Sequence, residues 1–96
     1  MHARITRVEG SPEQLEDGIA NVTGAVIPAA KGMAGFAGAY FLADRSSGTM
    51  LGITLWDSEE ALRASEEAAE ALRRGAASAS GGQIASVERY EVVAQV

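Results

Sequence analysis

One tryptophan, two tyrosines and a few arginines are the groups through which this 96-residue chain could do chemistry, since it has no cysteine and a single histidine. Trp56 closes an apolar run. There its ring can wall a cavity and its indole N–H can bond a ligand oxygen, or the residue can be an ordinary core or interface tryptophan. Tyr40 and Tyr90 each fall in a strand-like segment, where a phenol can orient a substrate or take part in proton transfer. The competing role is an interface tyrosine with its hydroxyl satisfied. Arg89, beside Tyr90, and Arg4 or Arg7 near the N-terminus could stabilise an enolate or phenolate if buried near a pocket. Arginines at strand edges are ordinarily solvated or ion-paired. Asn21 precedes the apolar Val22 and can reach a pocket rim or face water.

Other chemistries are disfavoured. The lack of cysteine removes disulfides, thiolate zinc sites and thiol nucleophiles. His2 would need several carboxylate partners to hold a metal, and the carboxylates mostly belong to predicted helix surfaces, so no metal is expected. Gly32, Gly35 and Gly38 do not have the G-x-G-x-x-G spacing or the strand-to-helix setting of a nucleotide cradle. A net charge of -5 repels phosphate backbones and anionic lipids, which argues against nucleic acid and membrane partners. No apolar stretch has the length of a spanning helix, and Met1-His2-Ala3-Arg4 leads into alternating residues. A cytoplasmic protein is expected.

These residues must be positioned by one domain, residues 1–96, since the length suits a single core. Residues 3–8 alternate as a first strand. Ser11, Pro12 and Gln14 form a capping-box pattern at the start of a helix whose inner stripe is Leu15, Ile19, Val22 and Val26, with Pro28 stopping or kinking it. Residues 36–43 and 49–56 are apolar runs separated by Asp44-Arg45-Ser46-Ser47-Gly48, a hairpin. Asp57 and Glu60 suggest a second capping box, and a helix is predicted over 58–74, ending before Gly75. Residues 76–83 read as a mobile Ala/Ser/Gly loop and 84–96 as a last strand.

The order βαββαβ places both helices on one side of an antiparallel sheet, because crossovers are right-handed. Yet the central hairpin has no charged residue in 36–43 or 49–56, so both of its faces need cover. Burial of about six to eight apolar side chains on the open face contributes on the order of 10 kcal/mol. A second copy related by a two-fold axis supplies that cover, and a homodimer is expected.

Gly35-Phe36-Ala37-Gly38 at the entry to the hairpin, with Trp56-Asp57-Ser58-Glu59-Glu60-Ala61-Leu62 at its exit, resembles the antibiotic biosynthesis monooxygenase (ABM) domain of the dimeric α/β-barrel superfamily, over essentially the whole chain. The resemblance implies an α+β, ferredoxin-like βαββαβ protomer with an antiparallel sheet, two protomers forming a dimeric α/β barrel with a possible pocket between sheet and helices. It implies as activity a cofactor-free monooxygenation of phenolic or quinol-type substrates. Trp56, Tyr40 and Arg89 are then the candidate catalytic residues, and Trp56, Phe36, Tyr90 and Asn21 the candidate binding residues for a small aromatic ligand, with no cofactor. Only Trp56 lies at a recognisable family position. The haem-degrading branch is matched least, for Thr6 and Arg7 stand on the first strand, and Ser65 and Gly75 near the places of its helical tryptophan and histidine. The rival reading, from another class, is a non-catalytic ligand-binding or assembly domain.

Overall fold

The computed structural model describes residues 1–96 in the order β1 (His2–Glu9), a 3₁₀ turn (Pro12–Gln14), α1 (Leu15–Asn21), a π-helical segment (Val22–Val26), α2 (Ile27–Lys31), β2 (Phe36–Asp44), β3 (Thr49–Trp56), α3 (Glu59–Ala64), α4 (Glu66–Ala79) and β4 (Gln83–Glu91). The strands form one antiparallel sheet in the order β2-β3-β1-β4. This is the expected ferredoxin-like α+β fold. No helix is long and apolar enough to cross a membrane.

Alternation decides what each face carries. His2, Arg4, Thr6 and Val8 of β1 pair with Trp56, Thr54, Gly52 and Met50 of β3, and this set points at the helices. Ile5 pairs with Ile53, which pairs in turn with Tyr40 on β2; Ala3 pairs with Tyr90 on β4. That second set forms the other face, which no helix covers. Leu15, Val22 and Met50 form a buried cluster under the helices, with Ile19, Ile27 and Phe41 packed against it.

Several elements differ from the sequence expectation. Of the two outcomes expected at Pro28, a stop or a kink, the stop does not occur. The chain widens into the π turn before it, the Ile27 N–H bonding to the Val22 carbonyl five residues back, and helix continues to Lys31. Proline lacks an N–H, so a regular turn there would lose a bond in any case. The Thr23 hydroxyl donates one turn back, to the carbonyls of Ile19 (3.3 Å) and Ala20 (3.2 Å). The Gln14 N–H bonds to the Ser11 carbonyl at 3.2 Å and the two side chains touch, but the Ser11 side chain does not cap a backbone N–H. At the second helix Ser58, and not Asp57, is the cap, its hydroxyl accepting from the Ala61 N–H at 3.1 Å.

That helix is broken into α3 and α4 at Ser65, and α4 passes Gly75 to end at Ala79. The stretch expected to be a mobile loop therefore starts as helix, and Ser80 is 0% exposed. The reason is packing. Gly10 and Gly18 lie so close to Ser80 that a Cβ at either would sit 2.6 and 2.9 Å from its atoms. The Ser11 N–H bonds to the Ser80 carbonyl. The last strand ends at Glu91, not at the C-terminus.

The hairpin entry is pinned to the helix it precedes. Gly35 has φ +78°, and a Cβ there would meet that of Ala61 at 2.4 Å. Its carbonyl accepts the Asp57 N–H at 2.8 Å. Only glycine combines that backbone with that proximity. The anchor holds Phe36 against Trp56, ring centroids 5.6 Å apart and edge to face.

Candidate functional site

Between the helix-facing side of the sheet and the helices lies a cavity of about 90 Å³, mostly apolar, with Val22, Val26, Phe41, Met50, Trp56 and Leu72 in its walls. The π turn brings Val22 and Val26 to it. Phe41 lies across Gly52, where a Cβ would come within 3.2 Å of the ring, so the absence of a side chain leaves room for the aromatic. Pockets that enclose drug-sized ligands are usually about 300–1,000 Å³. This one holds a few waters as it stands, and its methionines, Met33 and Met50, are the side chains that rearrange at least cost.

Its polar lining is cationic. Arg4, 3% exposed, donates from Nη2 to the Leu62 carbonyl (3.0 Å), Ser65 Oγ (2.7 Å) and Glu66 Oε1 (2.9 Å). Its guanidinium lies 5.5 Å from the Trp56 ring centroid, a favourable cation–π placement. The same Ser65 that breaks the second helix thus receives the buried arginine. Arg89 grips Glu66 with two bonds, Nε to Oε1 at 2.8 Å and Nη2 to Oε2 at 2.7 Å. The Arg89 hydrogen bonds first, then Arg4, hold the Glu66 carboxyl down at about 2, against the opposing effect of its partial burial.

Arg73 also lines the cavity. Burial first, then the nearby charge of Arg4, lowers its pKa from the ordinary arginine value, with Glu66 opposing. Two donors are left over, for the Nε of Arg4 and Nη1 of Arg73 are buried without a hydrogen-bond partner. Thr6 and Thr54 complete the polar lining. No histidine, tyrosine or carboxylate lines the cavity, so it has no group suited to act as general base.

The residues singled out from sequence divide between the two faces. Trp56 is 1% exposed in the cavity wall, but its indole N–H is already donated to Thr54 Oγ1 at 3.0 Å. Phe36 supports Trp56 from behind, and Arg89 reaches the cavity's arginine only through Glu66. Tyr40 and Tyr90 belong to the open face, 65% and 53% exposed, and Tyr90 donates to Glu88 beside it, which raises its pKa. Neither tyrosine lines the cavity. Asn21 does not line it either, although its Oδ1 is buried and unpartnered. Of the two first-strand arginines, Arg4 is the inward one and Arg7 is exposed, pairing with Glu9. Arg73 was readable only as a helix-end charge, yet Glu66, Ala69, Arg73 and Ala76, spaced 3, 4 and 3, lie on one helical stripe. No group of three or more metal-binding side chains occurs.

No family model matches the chain. It is 37% identical over 94 residues to the uncharacterized protein Rv2557 of Mycobacterium tuberculosis, covering 98% of this chain and 42% of that protein. The chain thus spans about two fifths of the length of the curated relatives it matches. Among solved structures it is similar to a monooxygenase of Streptomyces coelicolor in complex with nanaomycin D (TM-score 0.68, 21% identity, 93% of this chain and 82% of that one). It is similar too to a candidate antibiotic biosynthesis monooxygenase of Deinococcus radiodurans (TM-score 0.72, 16% identity, 100% and 96%). A third is SnoaB of Streptomyces nogalater, a cofactor-independent oxygenase (TM-score 0.66, 15% identity, 99% and 95%). These likenesses extend over nearly the whole chain and establish a shared fold.

Proposed function

We propose that this chain, which has the fold of the antibiotic biosynthesis monooxygenase proteins, is one protomer of a homodimer that binds a small, largely apolar and aromatic molecule between its sheet and helices. The observation that carries the reading is the cavity itself, an apolar space walled by Trp56 and lined by two arginines that each keep one buried donor unpartnered. The open sheet face supports the dimer. Ile5, Tyr40, Leu42, Ile53, Leu55 and Tyr90 share it by register, and Tyr40, Leu42 and Tyr90 are among the exposed large side chains. An apolar patch of that kind on one face is ordinarily covered by a partner.

The activity to test is cofactor-free oxygenation. An ionised anthrone or quinol supplies electrons to oxygen directly; for an anthrone, one oxygen atom becomes the new quinone carbonyl and the other leaves as water. In this cavity the arginines would hold the developing oxyanion and Trp56 would flank the ring. With no base in the lining, the substrate would have to ionise readily by itself. That same lack favours a second reading, a binding module without catalysis.

Oxygen uptake with a panel of anthrones and quinols, comparing wild type with Trp56→Phe and Tyr40→Phe, separates the two. Turnover that falls at least tenfold in Trp56→Phe supports the oxygenase. No turnover of any panel member, with quenching of the single tryptophan's fluorescence by the same compounds, supports the binding module. No turnover and no quenching would remove both readings of the cavity.

A further inference from the structure

We propose that the cationic end of the cavity is a subsite for a carboxylate, so that the ligand class is small aromatic monoanions carrying an acid group, bound through Arg4 and Arg73. The inference rests on the cavity being a ligand site and goes further in naming what the ligand must bear.

The charge count is the first support. Arg4, Arg73 and Arg89 gather around one carboxylate, Glu66, in a chain whose net charge is -5. Glu66 is saturated by its bonds to Arg4 and Arg89. Glu67, the next carboxylate along α4, is exposed, and Glu70 is paired with Arg74. Glu66 and Glu70 act on Arg73 through charge alone, and its Nη1 has no hydrogen-bond partner.

The second support is the cost of leaving matters so. Buried polar groups nearly always find partners, and a buried unpaired donor on a charged group destabilises a fold more than a neutral one does. Here two such donors, Arg4 Nε and Arg73 Nη1, belong to side chains lining the same cavity. Arg4 is also held rigidly by its three bonds and by Trp56. A pre-positioned guanidinium with a free N–H, beside an apolar wall, suits an anionic oxygen attached to a flat ring. A neutral ligand would leave the excess positive charge uncompensated.

Titration with benzoate and with its neutral isostere benzamide, followed by Trp56 fluorescence, tests this. Benzoate is expected to bind at least tenfold more tightly than benzamide. Arg73→Met should remove that preference, and Arg73→Lys should restore part of it. Arg73→Met is also expected to unfold at the same temperature as the unliganded wild type or higher, since it replaces an unpartnered cation with an apolar chain of similar length. Equal affinities for the two probes in wild type would overturn the carboxylate subsite and leave the cavity reading standing. Failure of both probes to bind would overturn the subsite and, together with no quenching by the anthrone and quinol panel, the cavity reading with it. A lower melting temperature for Arg73→Met, with the benzoate preference intact, would make Arg73 a structural cation and overturn its assignment.

Discussion

The two faces of the sheet are made by alternate residues of the same strands, yet they are unfinished in opposite ways. On the helix side, Arg4, Thr54 and Trp56 are engaged with one another and, through Arg4, with the broken second helix, and what is left over is polar, buried side-chain atoms of His2, Arg4, Asn21 and Arg73 without partners. On the open side what is left over is mainly apolar, with Tyr40, Leu42 and Tyr90 bare to solvent beside the exposed Arg7 and Glu88. A buried donor is ordinarily matched by an acceptor, and an apolar sheet face by another large surface. Alternation alone therefore gives the two faces of one sheet opposite deficits.

The sharpest way to break this contrast is to remove an aromatic from each side. Trp56→Ala is expected to cost about 3–5 kcal/mol in denaturant unfolding of the protomer, the usual range for emptying a buried aromatic site. Tyr40→Ala should weaken self-association and leave the unfolding of the separated protomer within about 1 kcal/mol. If the two variants lose equal protomer stability, the faces do not have separate roles. Next in size, Ile53→Lys, which places a charge in the middle of the open face, should raise the dissociation constant at least a hundredfold by sedimentation equilibrium. Wild-type protein that sediments as a monomer at micromolar concentration would remove the premise of that comparison.

The smallest of these effects belongs to acid pH and to the helix side alone. Glu66 has its folded pKa at about 2, depressed from 4.5, so its contribution is complete above about 4.5 and is lost as the pH falls toward 2. The Arg89 half of the contact is open to solvent and screened, which limits the contribution to about 1–2 kcal/mol. Urea unfolding across that window should show the decline in wild type and a flatter curve in Glu66→Gln. Equal slopes would mean that the Arg4–Glu66–Arg89 cluster adds nothing to stability.

The fold was legible because its strongest signals are local. The unbroken apolar runs 36–43 and 49–56 around a turn-rich stretch could only be a hairpin, and Gly35 before Phe36 marks a close approach that the contact with Ala61 explains. The residues misread are those whose state depends on distant neighbours. Ala76–Ala79 resembles a flexible loop by composition, yet alanine is the strongest helix former, and Ser80 is locked between Gly10 and Gly18.

The site was less legible for a related reason. Sequence supplies the alternation of a strand but not which parity meets the helices, so Arg4 could not be chosen over Arg7, nor the two tyrosines set aside from the cavity. Arg73 lay on a readable stripe with Ala69 and Ala76. Its charge at a helix end offered a simpler account, and only the three-dimensional tally of donors against acceptors overrides that account.

The wide turn at Val22–Val26 bears on how such a cavity can change over generations. A π turn fits one residue more than a regular helical turn, so shedding that residue restores regular helix and keeps the segments on either side in nearly the same phase. Loss of a single codon here would leave the Leu15 and Ile19 side aligned with Ile27 and Ala30 and would redraw only the wall that Val22 and Val26 supply. The cavity would then change shape with the sheet left untouched, so the chain carries a one-residue adjustment away from the strands that keep its architecture.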